Sequence, residues 1–313
     1  MHRTMTALEW ALLVVLSVLW GTSFFSLSFA ARDLPPFTIV TLKVILAAAA
    51  LFAVLRLAGG RIPRGRRTWS ELTVMGLFND AGPFILIAFA SPFIATGLMS
   101  VLIATSPLFT VILAHVLTTD ERMTVRHAVG VLMGFAGLAV MLGGGVIGRS
   151  VTDILAQLAC LGAALGYAYA SVYGRRFTPL GLHPMAIAGG QLASSAILLA
   201  PVALLIDQPW TLPMPGWPAI AGMLSMALLS GALAYSIFFR ILATAGATNV
   251  VLVTFLSPIT AILIGIAALG EHVTTHQLAG MALIALGIAV LDGRPVRALL
   301  ARATAHPPST LPE

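Results

Sequence analysis

Long apolar blocks separated by short polar stretches dominate the hydrophobic pattern of this chain. Ten blocks approach or exceed the roughly 20 residues that a helix needs to cross the hydrocarbon core of a bilayer. They run approximately over residues 8–30, 36–58, 69–91, 94–118, 125–145, 151–174, 184–206, 216–242, 246–269 and 275–292. The pattern therefore predicts an all-α membrane protein with ten transmembrane helices.

The composition favours spans in lipid over one large soluble core. Of the 313 residues, 59% are hydrophobic and only 9% are charged, whereas an average soluble domain has roughly 25% charged residues. The single cysteine, Cys160, excludes an internal disulfide. The class of protein indicated is a multi-pass membrane protein.

The positive charges predict how the helices are oriented. With a cytoplasmic N-terminus, the Lys and Arg residues lie at cytoplasmic ends, except for Arg32 and Arg149 outside and Lys43 within a span. Cytoplasmic loops of membrane proteins carry an excess of Lys and Arg, so both termini are predicted to be cytoplasmic. The net charge of +6 is then a topology signal, and the basic segment 61–67 is expected to face anionic lipid, not nucleic acid.

Two Ser-Pro pairs, 106–107 and 257–258, fall near the middle of the fourth and ninth spans. A proline inside a helix removes one backbone hydrogen bond and crowds the carbonyl four residues earlier. Each pair is therefore predicted to bend its helix and to free a carbonyl, that of Ile103 or of Thr254. Pro107 and Pro258 are the candidate hinges between moving parts.

The same pairs mark an internal repeat. A shift of 151 residues (257 − 106) places the first pair on the second, and further along Glu121 falls on Glu271 with one residue fewer. The shift covers five spans, an odd number, so the second half must be inverted relative to the first. We predict repeats over 1–145 and 146–292, followed by a disordered cytoplasmic tail over 293–313. Inverted repeats are typical of secondary transporters, which hold substrate near the midplane.

These paired features resemble the drug/metabolite transporter superfamily, in its ten-helix branch of two five-helix repeats. The resemblance rests on the segment Trp-Gly-Thr-Ser-Phe at 20–24, the two Ser-Pro pairs, and the glutamates that follow them. Within that superfamily, the chain is most similar to bacterial exporters of aromatic amino acids. The resemblance implies a location in the bacterial cytoplasmic (inner) membrane. Many relatives have arginine near Lys43, but lysine cannot bind a carboxylate bidentately.

Aromatic and polar residues well inside the spans form the candidate substrate site. A cavity lined by aromatic rings suits flat apolar or cationic substrates, through stacking and cation–π contacts. The alternative for each ring is packing against lipid or protein. The candidate substrate-binding residues are Trp20, Ser23, Phe24, Asn79, Phe84, Ser106, Tyr167, Tyr235, Phe239 and Ser257.

Asp80 is the main ionisable candidate, because a charged residue at the bilayer centre is costly and marks function. Two roles are predicted for it: a structural ion pair with Lys43, or contact with substrate or with a coupling proton. Gln191, Ser194 and Ser195 give the seventh span a polar face. Hydrogen bonding between helices is the simpler interpretation of that face.

Together these features predict a secondary transporter that works by alternating access and exports small amphipathic metabolites. Aromatic amino acids come first, and flat cationic drugs second. The alternatives are export or import of another metabolite class and, more distantly, an intramembrane enzyme, for which the chain lacks a nucleophile–base set. The expected partners are a small-molecule substrate, the lipid bilayer and, as an open alternative, a coupling proton. No metal, cofactor or nucleic acid is expected, and the protein is predicted to function as a monomer.

Overall fold

A computed structural model of the chain describes residues 5–118, 123–143, 150–245 and 253–292. The long helices in these ranges are Ala7–Ala30 (α1), Pro36–Leu57 (α2), Arg66–Ala90 (α3), Thr96–Leu117 (α4), Val125–Gly143 (α5), Val151–Tyr173 (α6), Pro184–Asp207 (α7), 217–245 (α8), Val253–Leu269 (α9) and Thr275–Asp292 (α10). Seven of them are long and apolar enough to span a membrane, and α5, α9 and α10 are shorter apolar helices. The predicted all-helical membrane fold is confirmed, while the predicted tail lies outside the described residues.

Two helix starts are fixed by side chains of their own first turn. At α1, the Thr6 hydroxyl accepts the Glu9 N–H at 3.3 Å and the Glu9 carboxylate accepts the Thr6 N–H at 2.7 Å. Ser150 and Asp153 form the same reciprocal arrangement at α6. Such capping boxes satisfy N–H groups that have no partner within the helix. Both helices therefore begin without help from another element.

The two predicted bends have different structures. Helix α4 breaks into Thr96–Ile103 and Ser106–Leu117, whereas Pro258 lies inside the continuous helix α9. Pro107 is tolerated in the first turn of the new helix, where its missing N–H has no intrahelical partner anyway. The Ser106 hydroxyl donates to the Ile103 carbonyl at 2.6 Å, so the carbonyl that Pro107 releases is satisfied at the break itself.

The helices group into two compact units. The first unit contains α1–α3, the beginning of α4, and α6–α9; within it α2 packs on α7, α1 on α8 and α9, and α3 on α6. The second contains the rest of α4, α5 and α10. Helices α5 and α10 approach so closely that a Cβ atom on Gly137 would lie 2.7 Å from the Gly280 carbonyl oxygen. Small residues permit this kind of backbone contact between membrane helices.

Candidate functional site

A π-helical turn over Leu77–Ala81 carries Asn79 and Asp80 in the middle of α3. Turns of this kind are rare and frequently mark functional sites. The repeat shift of 151 residues places the turn on 228–232, inside the π-helical segment Ser225–Leu233 of α8. The two equivalent helices therefore share the same irregularity at the same point.

Tyr235 of α8 lies where four helices meet. Its hydroxyl is within hydrogen-bonding reach of the side-chain amides of Asn79 on α3 and Gln191 on α7. Its ring meets that of Trp20 on α1 edge-on, with 6.4 Å between the ring centres, and Trp20 packs at 5.7 Å on Phe238. The structure thus joins three predicted site residues, Trp20, Asn79 and Tyr235, and adds Gln191 to them.

Asp80 is enclosed beside this group and is 0% exposed. Tyr167 of α6 and Tyr235 both lie close enough to interact with its charge. Among the described residues, no donor forms a hydrogen bond with either of its carboxylate oxygens. Buried polar groups in proteins are nearly always hydrogen-bonded. Asp80 is therefore an unusual group, of the kind that marks ion and substrate pathways in membranes.

Lys43 and Asp80 are neighbours without a direct hydrogen bond between them. Their charges interact, but the Lys43 ammonium nitrogen lies 3.4 Å from the centre of the Phe84 ring. A ring face attracts a cation through its quadrupole, and most strongly where water is excluded. The ring thus stabilises the Lys43 charge and leaves the Asp80 carboxylate available.

The remaining predicted site residues are Ser23, Phe24, Ser106, Phe239 and Ser257. Ser106 donates to a carbonyl at the α4 break. The Ser257 hydroxyl is buried and has no partner in the described part of the chain. Ser23 and Phe24 are half-buried in α1, and none of the described hydrogen bonds or ring contacts links them to Tyr235. The side chain of Phe239 lies outside what the structure describes.

An aromatic ladder between α3 and α6 is a further feature, not predicted from the sequence. The Phe78 ring lies 4.4 Å from the Tyr169 ring, which stacks on Tyr173 at 5.8 Å. The Arg176 guanidinium lies 4.4 Å above the Tyr173 ring and 3.5 Å from the Glu71 carboxylate, which also accepts the Tyr173 hydroxyl. Tyr169 and Tyr173 are four residues apart, which places both rings on one face of a helix. This spacing is the sequence pattern that could have indicated the ladder.

The polar side face predicted for α7 does connect helices. The Ser195 hydroxyl donates to the Gly76 carbonyl of α3 at 3.0 Å, and a Cβ on Gly76 would collide with the α7 backbone at Gln191. The predicted hydrogen bonding between helices is confirmed for Ser195. Gln191, one turn earlier, instead directs its side-chain amide to Tyr235.

The ten apolar helices of the described ranges, in two related halves, define the class: a multi-pass membrane protein. The chain belongs to the EamA-like transporter family, part of the drug/metabolite transporter superfamily, because that family's model matches it twice, over residues 8–143 and 154–291. Both copies of the family repeat are therefore present. The protein is a secondary transporter of a non-enzymatic family.

Known relatives are similar along most of their length. The chain is 23% identical over 279 residues to the uncharacterized transporter YoaV of Bacillus subtilis, covering 88% of this chain and 94% of that protein. It is 24% identical over 281 residues to the uncharacterized inner membrane transporter YedA of Escherichia coli K12, covering 89% of each. A crystal structure at 22% identity covers 96% of this chain and 100% of the other with a TM-score of 0.65, which shows a shared fold.

Proposed function

We propose that this protein exports small amphipathic metabolites across the bacterial inner membrane, with aromatic amino acids as the first candidates. The meeting of the Trp20 and Tyr235 rings with the amides of Asn79 and Gln191 carries the proposal. Rings stack on the flat apolar part of a substrate, and a few amides fix its polar end. The group draws on both repeats, as expected for a site at the repeat interface of a secondary transporter.

The charges beside this group favour amino acids among amphipathic substrates. An aromatic amino acid presents a ring, an ammonium and a carboxylate, and the site offers rings, the acidic Asp80 and the basic Lys43 close together. Lysine acts as a single point charge, which suits one carboxylate without bidentate geometry. Asp80 is fully enclosed, so it meets the substrate ammonium only after a change of access during the transport cycle.

Flat cationic drugs are the second candidate class, supported by the same acidic and aromatic groups. Cations bind the faces of Trp and Tyr rings, and Asp80 supplies an opposite charge. These compounds lack a carboxylate, so they would not form an ion pair with the Lys43 ammonium. Competition between a cationic dye and an aromatic amino acid for transport therefore distinguishes a shared site from a selective one.

The experiment is a counterflow screen in proteoliposomes loaded with unlabelled tryptophan, phenylalanine, leucine or a flat cationic dye. Each compound is also added outside in labelled form. We expect an aromatic amino acid loaded inside to accelerate uptake of its own labelled form. Trp20→Ala should raise the half-saturating concentration about tenfold, because stacking and burial of one ring contribute about 1.5 kcal/mol. Trp210→Ala is the matched control, since Trp210 is exposed and lies in the connection after α7. Equal behaviour of the two variants would remove Trp20 from the site.

We further propose that Asp80 carries a coupling proton. None of the described residues holds its carboxylate by a hydrogen bond, which supports a proton-carrying role over a structural pair with Lys43. Enclosed acidic residues in membrane transporters commonly relay protons. Proton antiport is therefore favoured over facilitated diffusion as the source of energy.

A further inference from the structure

At one face of the first unit, carboxylates accept hydrogen bonds from N–H groups at the start of helices other than their own. Asp33, between α1 and α2, accepts the Gly216 N–H just before α8 at 2.8 Å. Asp207, at the end of α7, accepts the N–H and the hydroxyl of Thr38 in the first turn of α2 at 2.6 Å and 2.8 Å. Helices α2, α4 and α8 all begin on the same membrane face, because successive spans alternate in direction. The predicted orientation makes this the outer face.

Glu271 forms the most complete of these caps, at the start of α4. Its carboxylate accepts the Thr96 N–H at 2.7 Å, the Thr96 hydroxyl at 2.9 Å and the Gly97 N–H at 3.2 Å. Gly270 turns the chain at a φ of +66°, and the Glu271 N–H then donates to the Gly265 carbonyl at 3.1 Å. The end of α9 is thus shaped to hold the carboxylate against α4.

Gly265 provides the space in which the carboxylate lies. A Cβ atom added there would collide with the Glu271 carboxylate and lie 2.8 Å from the Thr96 hydroxyl. On the facing segment, a Cβ atom on Gly97 would lie 2.9 Å from Ile262 of α9. Two glycines therefore let α9 and the beginning of α4 approach closely, and the carboxylate closes this contact with three hydrogen bonds.

The capped piece of α4 is short, packs on α9, α6 and α1, and ends at a break in the helix. It runs from Thr96 to Ile103, and the helix breaks at Ala104 and Thr105. Residues at the end of a helical element can serve as a hinge about which the element moves as a rigid piece. The Asp33 and Asp207 caps differ, because they lie at the start of helices that continue without a break, α8 and α2.

We propose that Glu271 holds the transporter closed to the outside. We call its hydrogen bonds to Thr96 and Gly97 the latch. Its hydrogen bonds hold Thr96–Ile103 against α9, and opening to the outside requires their release. Once released, the N–H groups at the start of α4 reach water at the membrane surface, so opening leaves no buried donor unpaired. The inference rests on alternating access, which is part of the proposed function, and does not depend on the substrate.

The test measures access from the outside to a cysteine in the latched segment. Ser100→Cys, in a Cys160→Ala background, replaces a side chain that is 3% exposed and lies one turn into α4. Intact cells are treated with a membrane-impermeant maleimide. Glu271→Gln should accelerate labelling about tenfold, which corresponds to about 1.4 kcal/mol of lost stabilisation of the latched state. Unchanged labelling would overturn the proposal.

Asp153→Asn is the matched control, since Asp153 caps the start of its own helix at the same face. It should leave labelling unchanged, as should Asp33→Asn, which removes a cap from the start of an unbroken helix. Gly265→Ala supplies an independent way to displace the latch while the carboxylate remains. It should accelerate labelling as Glu271→Gln does. Equal labelling of Glu271→Gln and Asp153→Asn would show a general effect of lost caps and would contradict the latch.

Thermal unfolding in detergent shows that each variant is folded before labelling is compared. The labelling assay needs no substrate, so it separates this inference from the proposed function. Accelerated labelling with no counterflow of any tested substrate supports the latch and contradicts the proposed substrates. Normal counterflow with labelling that Glu271→Gln does not change overturns the latch alone.

Discussion

Lys43 shows that a ring can replace a carboxylate as the direct partner of an enclosed cation. Its ammonium lies over Phe84, although Asp80 is near enough to attract it. A desolvated cation–π contact is worth about 2 kcal/mol, so the ring offsets part of the cost of burying the charge. The Asp80 carboxylate oxygens meanwhile have no hydrogen-bond donor among the described residues.

The contact between Lys43 and Phe84 predicts a measurable coupling. Phe84→Leu keeps the site apolar but removes the ring, and should lower the free energy of unfolding by about 2 kcal/mol. In a Lys43→Met background the same substitution should cost less, because no cation remains to be stabilised. Unfolding in mixed detergent, followed by circular dichroism, gives the double-mutant cycle. Phe93→Leu, at an exposed ring, is the control, and an equal loss at both phenylalanines would contradict the contact.

The sequence predicted the types of site residue better than their partners. Trp20, Asn79 and Tyr235 could be selected because large aromatic and amide groups are unexpected deep in membrane spans. That Gln191 completes their contacts could not be predicted, because the direction of its side chain depends on how α7 rotates against α3. The contact of Lys43 with the Phe84 ring could not be predicted for a similar reason, and the charge of Lys43 still interacts with that of Asp80.

The two repeats carry equivalent Ser-Pro pairs, but the helices that contain these pairs have different structures. Both Ser-Pro pairs predict a bend, yet α4 breaks and α9 runs on through Pro258. The break places Pro107 in a first turn, and Thr105 and Ser106 donate to the Leu102 and Ile103 carbonyls at 2.6 Å each. Hydroxyls that bond the backbone locally compete with continuation of a helix.

The close contact between helices α5 and α10 predicts how a substitution at Gly137 changes stability. Gly137→Ala places a Cβ atom 2.7 Å from both the Gly280 carbonyl oxygen and the Ile284 nitrogen, which forces two backbones apart. We expect a loss of about 1–3 kcal/mol in the free energy of unfolding. Gly174→Ala is the control, because its nearest neighbour is the flexible end of Met75 at 3.4 Å. Equal stability of the two variants would contradict the close contact of α5 and α10.

At the scale of the whole molecule, much of the architecture could be predicted, because lipid leaves few choices. A chain in a bilayer must satisfy its backbone within helices or closed barrels, so the apolar blocks predicted the ten helices. The Glu271 cap could not be predicted in this way. Thr96 lies 175 residues from Glu271, and neither local sequence identifies the other as its partner.

Coupling of transport to an ion gradient involves the whole molecule. From the enclosed carboxylate of Asp80 we predict that the coupling ion is a proton. Everted membrane vesicles should accumulate substrate faster when their interior is acidic, and Asp80→Asn should abolish that response. The physical reason is that an amide cannot take up the proton. Asp153→Asn, at a half-buried acidic residue in the first turn of α6, should retain the response. Transport by the unaltered protein that ignores the gradient would exclude proton coupling.

The π-helical turn of α3 has one more consequence, for the alignment of relatives. Such a turn accommodates one residue beyond the α-helical repeat, and one residue rotates a helix by roughly 100°. Removing one residue within Leu77–Ala81 would restore regular helix and leave Glu71 and Phe84 facing the same relative directions, because the turn absorbs the extra residue. A one-residue gap in an alignment is therefore tolerated at this turn, whereas a deletion elsewhere in α3 would rotate every side chain after it towards a different neighbour.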